Sequence, residues 1–110
     1  MAGGGGMGDM GSLLKQAQMM QKRMADAERE LGERVVEGSA GGGAVKVFIS
    51  GALDVKGVSI AKEAVDPDDV DGLEALVEGA VRQALTAARQ LKEKEMGKIT
   101  GGLSLPGLGF

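Results

Sequence analysis

The 110-residue sequence has no cysteine, histidine, tryptophan or tyrosine, and only two prolines and two phenylalanines. Each absence closes off a class of chemistry. Without cysteine there are no disulfides, thiolate metal sites or thiol nucleophiles. Without histidine the commonest metal ligand and the usual general base near neutral pH are missing. Most catalytic templates fail on these counts, so a protein that is not an enzyme and holds no metal or cofactor is expected. No apolar run approaches the roughly 20 residues that cross a bilayer. The opening MAGGGGMGDM has neither the positive region nor the apolar stretch of a secretory signal. A cytoplasmic protein without a membrane partner is expected.

Glycine and charge are plentiful instead. The 20 glycines cluster, and the formal net charge of -3 is spread unevenly. Residues 1 to 25 hold Lys15, Lys22 and Arg23 against Asp9 alone, whereas residues 54 to 78 set eight acids against Lys56 and Lys62. Residues 79 to 110 turn basic again. The ends are basic and the middle is acidic, although the overall sign is opposite to the basic footprint of most nucleic-acid-binding domains. This length supports one domain, burying roughly 65% of its unfolded surface, and such a modest core gains from a second subunit.

Three segments organise the chain: a flexible glycine-rich tail over 1–9, a single domain over 10–100, and an apolar glycine-rich tail over 101–110. From Met10 the apolar positions Met10, Leu13, Ala17, Met20, Met24, Ala27 and Leu31 alternate steps of three and four, the a/d seam of a helix. Asp9 is placed to cap it and Gly32 to end it, with a strand following directly. Val35 and Val36 mark a first strand over 34–37, leading into the loop SAGGG. Over 44–50, Val45, Val47 and Ile49 alternate with Lys46, Phe48 and Ser50, the pattern of a half-buried strand. Ser50-Gly51-Ala52 reads as a tight turn into a third strand over 53–61, whose alternation breaks around Gly57 as at a bulge. Loops this short allow only an antiparallel meander.

A second helix has two start signals, Asp66-Pro67 and the capping-box pattern of Asp71 with Glu74, read as a short turn and then the main helix. Its stripe is Leu73, Val77, Ala80, Ala84, Ala87 and Leu91, widened by Leu76, Val81, Leu85 and Ala88. Lys94 and Lys98 continue it, so the last turns cannot pack in a core, and Gly97 is expected to interrupt the helix. The fold class is therefore α+β: a long N-terminal helix, a three-stranded antiparallel meander and a long C-terminal helix. A first helix of about 22 residues spans roughly 33 Å while six-residue strands span roughly 20 Å, so its seam outruns the sheet. The sheet also has two open edges, and a homodimer would cover both kinds of excess.

Short motifs give little. Ser12-Leu13-Leu14-Lys15 matches S-x-x-K without its companion motifs, on an ordinary amphipathic helix. Gly97-Lys98-Ile99-Thr100 lacks the adjacency of a phosphate-binding GK[ST] and has no strand before it. Asp66, Asp68, Asp69 and Asp71 fail as a calcium loop, since Val70, Asp71 and Val77 stand at the third ligand, the turn glycine and the closing glutamate. Negative charge at a helix N-terminus explains the cluster. Leu105-Pro106-Gly107-Leu108-Gly109 lacks the threonine, membrane segment and export signal of a sorting motif.

Charge on the helices is more informative. With Met10 at position a, Lys15, Lys22 and Arg29 all fall at f, opposite the seam and about 10 Å apart, with Arg23 beside them. Arg82 and Arg89 also fall at f on the second helix, followed by Lys92, Lys94 and Lys98. On pattern alone a solvated face is the simpler account; the sharper one is a pair of phosphate-contacting arms, which would bind with little base specificity and steep salt dependence. Phe48 and Phe110 are too few for stacking platforms, so duplex DNA is the polyanion such arms would fit.

In their order, MGDMGSLLKQAQMMQKRM, GGGAVKVFISG, DPDDVDGLEALVEGAVRQAL and KEKEMGKITGGLSLPGLGF resemble the YbaB/EbfC family of bacterial nucleoid-associated proteins over most of the chain. The resemblance implies a homodimer with a central body and projecting helical arms, located at the nucleoid, binding duplex DNA and helping to organise it. It further implies DNA contacts at the helical ends, here Lys15, Lys22 and Arg23 with Lys92, Lys94 and Lys98; helical geometry adds Arg82 and Arg89. A different reading is an adaptor for recombination or replication proteins, docking through the acidic segment and the C-terminal tail.

Overall fold

Residues 2–101 are described in the computed structural model, with side chains over 10–99. The element order is α1 (Ala2–Glu33), β1 (Val35–Ala40), β2 (Val45–Ser50), β3 (Val55–Ile60), a single 3₁₀ turn (Lys62–Ala64) and α2 (Val70–Gly101). The strands form one antiparallel meander in the order β1-β2-β3, as their short connections require. Two long helices thus flank a three-stranded sheet, the fold class expected.

Alternation in β2 decides which sheet face is covered. Val45, Val47 and Ile49 are fully buried. Register sets them beside Ala40, Gly38 and Val36 of β1, and α2 lies over both strands with Ala80, Ala84 and Ala88 pressed against the valine row. The buried α2 stripe therefore runs through Ala88 rather than Ala87, which is half-buried. Alanines on the helix and Gly38 on the strand let the two backbones approach closely. Gln83 of α2 reaches β1, its Oε1 accepting from Ser39 N at 2.6 Å.

Local chemistry fixes the turns. Gly41, Gly42 and Gly43 all take positive φ between β1 and β2, where a side chain would be strained. Ser50 is buried, and its Oγ accepts from Ala52 N and Asp54 N, both at 3.2 Å, which sets the turn into β3. The expected bulge is present: Phe48 pairs with Gly57 and Ile49 with Val55, leaving Lys56 as the extra residue. Before α2, Asp66 Oδ1 accepts from Asp68 N at 2.9 Å in an Asx turn, and Asp69 Oδ1 accepts from Gly72 N at 3.1 Å as the N-cap.

Four sequence expectations need correction. Asp69 caps α2, and Asp71 lies inside its first turn, because the turn at Asp66 delivers the chain so that α2 begins at Val70, with the Asp69 carboxylate on Gly72 N. β1 runs Val35–Ala40, longer than the expected 34–37, because pairing with β2 and contact with α2 carry it through Gly38. Gly97 does not interrupt α2, which is helical to Gly101; a single helix glycine costs only about 1 kcal/mol. Asp9 does not cap α1, whose backbone is helical from Ala2, eight positions before Met10. The side chains of the glycine-rich segment 1–9, and most of the apolar tail 101–110, lie outside the described residues.

Candidate nucleic-acid interface

Two helix ends form the candidate site. Leu31 of α1 is fully buried, and a Cβ on Gly51 would stand 2.7 Å from its Cδ2, so the end of α1 is wedged against the β2–β3 turn. Glu28 and Leu31 share a cleft with Lys92. Further out, Arg23, Ala27 and Glu30 share another with Glu95, Lys98 and Ile99. The helices therefore run antiparallel, with early α1 residues level with the last turns of α2. Residues of α1 before Arg23 extend past Ile99, and the molecule measures 82 × 26 × 16 Å. Its radius of gyration of 21.8 Å is far above the roughly 13 Å of a compact domain of this size.

Arg34 and Glu95 tie the root of α1 to α2. Arg34 Nη1 donates to Glu95 Oε1 at 3.0 Å, and Lys98 Nζ meets the same oxygen at 3.3 Å. These hydrogen bonds, that from Arg34 first, hold the Glu95 carboxyl below the ordinary glutamate range. A lowered carboxyl pKa contributes stability above that ordinary range and loses it as acid protonates the folded group. Replacing Glu95 by Gln should slightly lower the melting temperature at neutral pH and flatten its fall on acidification. Melts of both proteins from pH 7 to pH 3 test this, and parallel curves would refute it. The effect is small, because the pair is solvent-screened.

The expected contact residues fall into distinct groups. Lys15 and Lys22 sit on the α1 face opposite its seam, and Arg23 lines the cleft that also holds Lys98. Among the described residues, Lys15, Lys22, Arg23, Arg89, Lys92 and Lys94 make no ion pair. Arg29, at f with Lys15 and Lys22, is paired with Asp26 at 3.5 Å. Arg82 is paired with Glu78. At about 100° per residue, Arg82 and Arg89 point away from the sheet, Lys94 and Lys98 share one side of the helix and Lys92 lies on the other, so α2 presents no single basic face. Between residues 10 and 25, α1 carries Lys15, Lys22 and Arg23 and no acid.

What this arrangement can do is limited. The outer cleft encloses about 260 Å³, below the ~300–1,000 Å³ of small-molecule sites. Its rim mixes Asp26, Glu30 and Glu95 with Arg23 and Lys98. Among the described residues no cluster of carboxylates could hold a metal ion, and Asp66 and Asp69 each give Oδ1 to a backbone N–H group. Among the described residues no helix is long and apolar enough to cross a membrane. Sequence reasoning missed the Arg34–Glu95 link, because residues 61 apart carry no local signal of their meeting.

Two antiparallel helices rooted on a small meander, one carrying exposed cations that make no ion pair among the described residues, define an α+β protein with a basic helical extension. The chain belongs to the YbaB/EbfC DNA-binding family, whose sequence profile matches residues 7–103. It is 46% identical over 106 residues to a nucleoid-associated protein of Alkaliphilus metalliredigens, covering 96% of this chain and 93% of that one. A nucleoid-associated protein of Desulforamulus reducens is 50% identical over 101 residues, 92% of this chain and 96% of the relative. Among solved structures, an uncharacterized protein from Helicobacter pylori shares the fold at a TM-score of 0.70 and 18% identity, covering 84% of this chain and 94% of that one.

Proposed function

We propose that the protein binds duplex DNA as a homodimer with low sequence specificity, organising or compacting the nucleoid and thereby affecting gene expression. The observation that carries this reading is the acid-free stretch of α1 between residues 10 and 25, with exposed Lys15, Lys22 and Arg23 that make no ion pair among the described residues. Lys92, Lys94 and Lys98 add cations at the end of α2, and Arg82 and Arg89 along its outer face. Membership of a DNA-binding family and the nucleoid-associated relatives support DNA as the polyanion. Lysine ammonium groups act as point charges on phosphates, whereas sequence is read at base edges, so such contacts position the protein without selecting a sequence.

Gel-shift titration on random and defined duplexes tests the DNA half. Retardation at low salt that weakens steeply as salt rises, with affinities alike on both duplexes, is expected. No shift at low salt would reject it. Light scattering at micromolar concentration tests the other half, where a mass of one chain would reject the homodimer.

A further inference from the structure

We propose that Met19 touches bound DNA directly, its side chain lying against deoxyribose between the phosphates that Lys15, Lys22 and Arg23 engage, and that this contact favours DNA over RNA. The proposal rests on the DNA-binding reading above and deepens it by naming a contact that charge does not supply.

The large apolar residues of α1 do not all belong to one stripe. Met10, Leu13, Met20, Met24 and Leu31 lie on the seam, and Leu14 flanks it. Met19 lies elsewhere: at about 100° per residue it stands roughly 140° from the middle of the seam. It is 56% exposed, so the fold leaves its apolar surface in solvent. Among the described residues of α1, it is the one large apolar side chain on the outer face.

Its neighbours on that face are the cations. Met19 is four residues after Lys15, three before Lys22 and four before Arg23, the spacings at which helical side chains stand about 5–6 Å apart at Cβ. In rotation it falls between the two lysines on one side and Arg23 on the other, about 40° from Lys15, 60° from Lys22 and 40° from Arg23. All three cations are exposed and make no ion pair among the described residues. The next acid along α1, Asp26, is paired with Arg29 at 3.5 Å. A polyanion drawn to these charges is therefore drawn across Met19.

The backbone of a duplex has the matching chemistry. Phosphates recur about every 3.4 Å of axis along one strand, and Lys15 to Arg23 spans about 12 Å of helix, so several phosphates come within reach of the three side chains. Between successive phosphates lies the sugar, whose C–H edge is the apolar part of the backbone. A flexible thioether side chain adapts to such an irregular surface. Sugar contacts carry no sequence information, in keeping with low sequence specificity. They do distinguish the two nucleic acids. An RNA duplex displays 2′-hydroxyls along its wide, shallow minor groove, and an apolar side chain pressed against one takes water from the hydroxyl without returning a hydrogen bond.

Salt separates this contact from those of the cations, because counterion release weakens phosphate binding as salt rises whereas an apolar contact releases no counterions. Full-length parent, Met19→Gln and Met19→Leu proteins are titrated by fluorescence anisotropy against a DNA duplex and an RNA duplex of the same sequence, each across a salt series. Met19→Gln should weaken DNA binding about fivefold at every salt concentration, with the slope of log affinity against log salt unchanged. Its RNA binding should change less than about twofold, so that the preference for DNA shrinks, and Met19→Leu should stay within about twofold of the parent on DNA. Met19→Gln binding DNA as tightly as the parent, weakening DNA and RNA alike, or altering the slope overturns the contact while DNA binding by the parent stands. Failure of the parent to bind either duplex at low salt rejects the DNA-binding reading itself. Light scattering and circular dichroism accompany the titrations, and a Met19→Gln protein of altered mass or helicity would assign Met19 a structural role and overturn the contact.

Discussion

Gly38→Ala is expected to cost about 3 kcal/mol of stability, the upper end of ordinary overpacking, and Gly38→Val to leave little folded protein. A Cβ at Gly38 would lie closer than 3.0 Å to Ala80 O, Ala84 N and Ala84 Cβ. Two of these are backbone atoms of α2, which no rotamer change can move. The helix must retreat as a body, and retreat separates Ala80, Ala84 and Ala88 from Val45, Val47 and Ile49, so weakened dispersion adds to the clash. The backbone at Gly38 is ordinary strand; the constraint is space alone. Gly42→Ala provides the contrast, because it has φ +67° and nothing within 4 Å, and left-handed strain there costs about 1–2 kcal/mol. Urea unfolding with unchanged m-values measures both. A Gly38→Ala protein losing no more than Gly42→Ala would show that α2 does not sit on β1 as described.

The same glycine marks how far the sequence could be read. Val45, Val47 and Ile49 announced the covered face of β2, because a period of two on β-branched residues has one structural meaning. Glu37-Gly38-Ser39-Ala40 contains no residue that favours a strand, so β1 was legible only at Val35 and Val36; its second half exists because β2 pairs with it and α2 packs on it. The short turn before α2 was legible at Asp66-Pro67, but several aspartates could cap, and the exit direction of the chain selected Asp69. For the candidate site, helical period placed Lys15 and Lys22 opposite the α1 seam, and the continuous helix from Ala2 to Glu33 keeps that spacing. It could not show that Arg29 and Arg82 pair with acids on their own helices, or that Glu95 holds Arg34 and Lys98 together. Ion pairs depend on rotamers and on neighbours brought in by the fold, and neither has a period.

Those pairings rank the expected effects on DNA binding. Reversing Lys15, Lys22 and Arg23 together to glutamate should weaken duplex affinity at least about a hundredfold at 50 mM salt. Removing one phosphate interaction lowers the slope of log affinity against log salt by about 0.9, so three such interactions on each of two subunits would account for roughly 5 in slope. The side chains of Lys15 and Lys22 are exposed, and none of the three makes an ion pair among the described residues, so the fold should survive, as circular dichroism would show. Reversing Lys92, Lys94 and Lys98 should cost less, about tenfold, because Glu93 and Glu95 are interleaved with them and Lys98 is already engaged. Arg82→Glu should change affinity only a few-fold, since Glu78 already offsets its charge. Fluorescence anisotropy across a salt series separates the three variants by slope as well as by affinity. If Arg82 and Arg89 proved dominant instead, DNA would lie along the outer face of α2, and the free cations of α1 would be no more than a solvated surface.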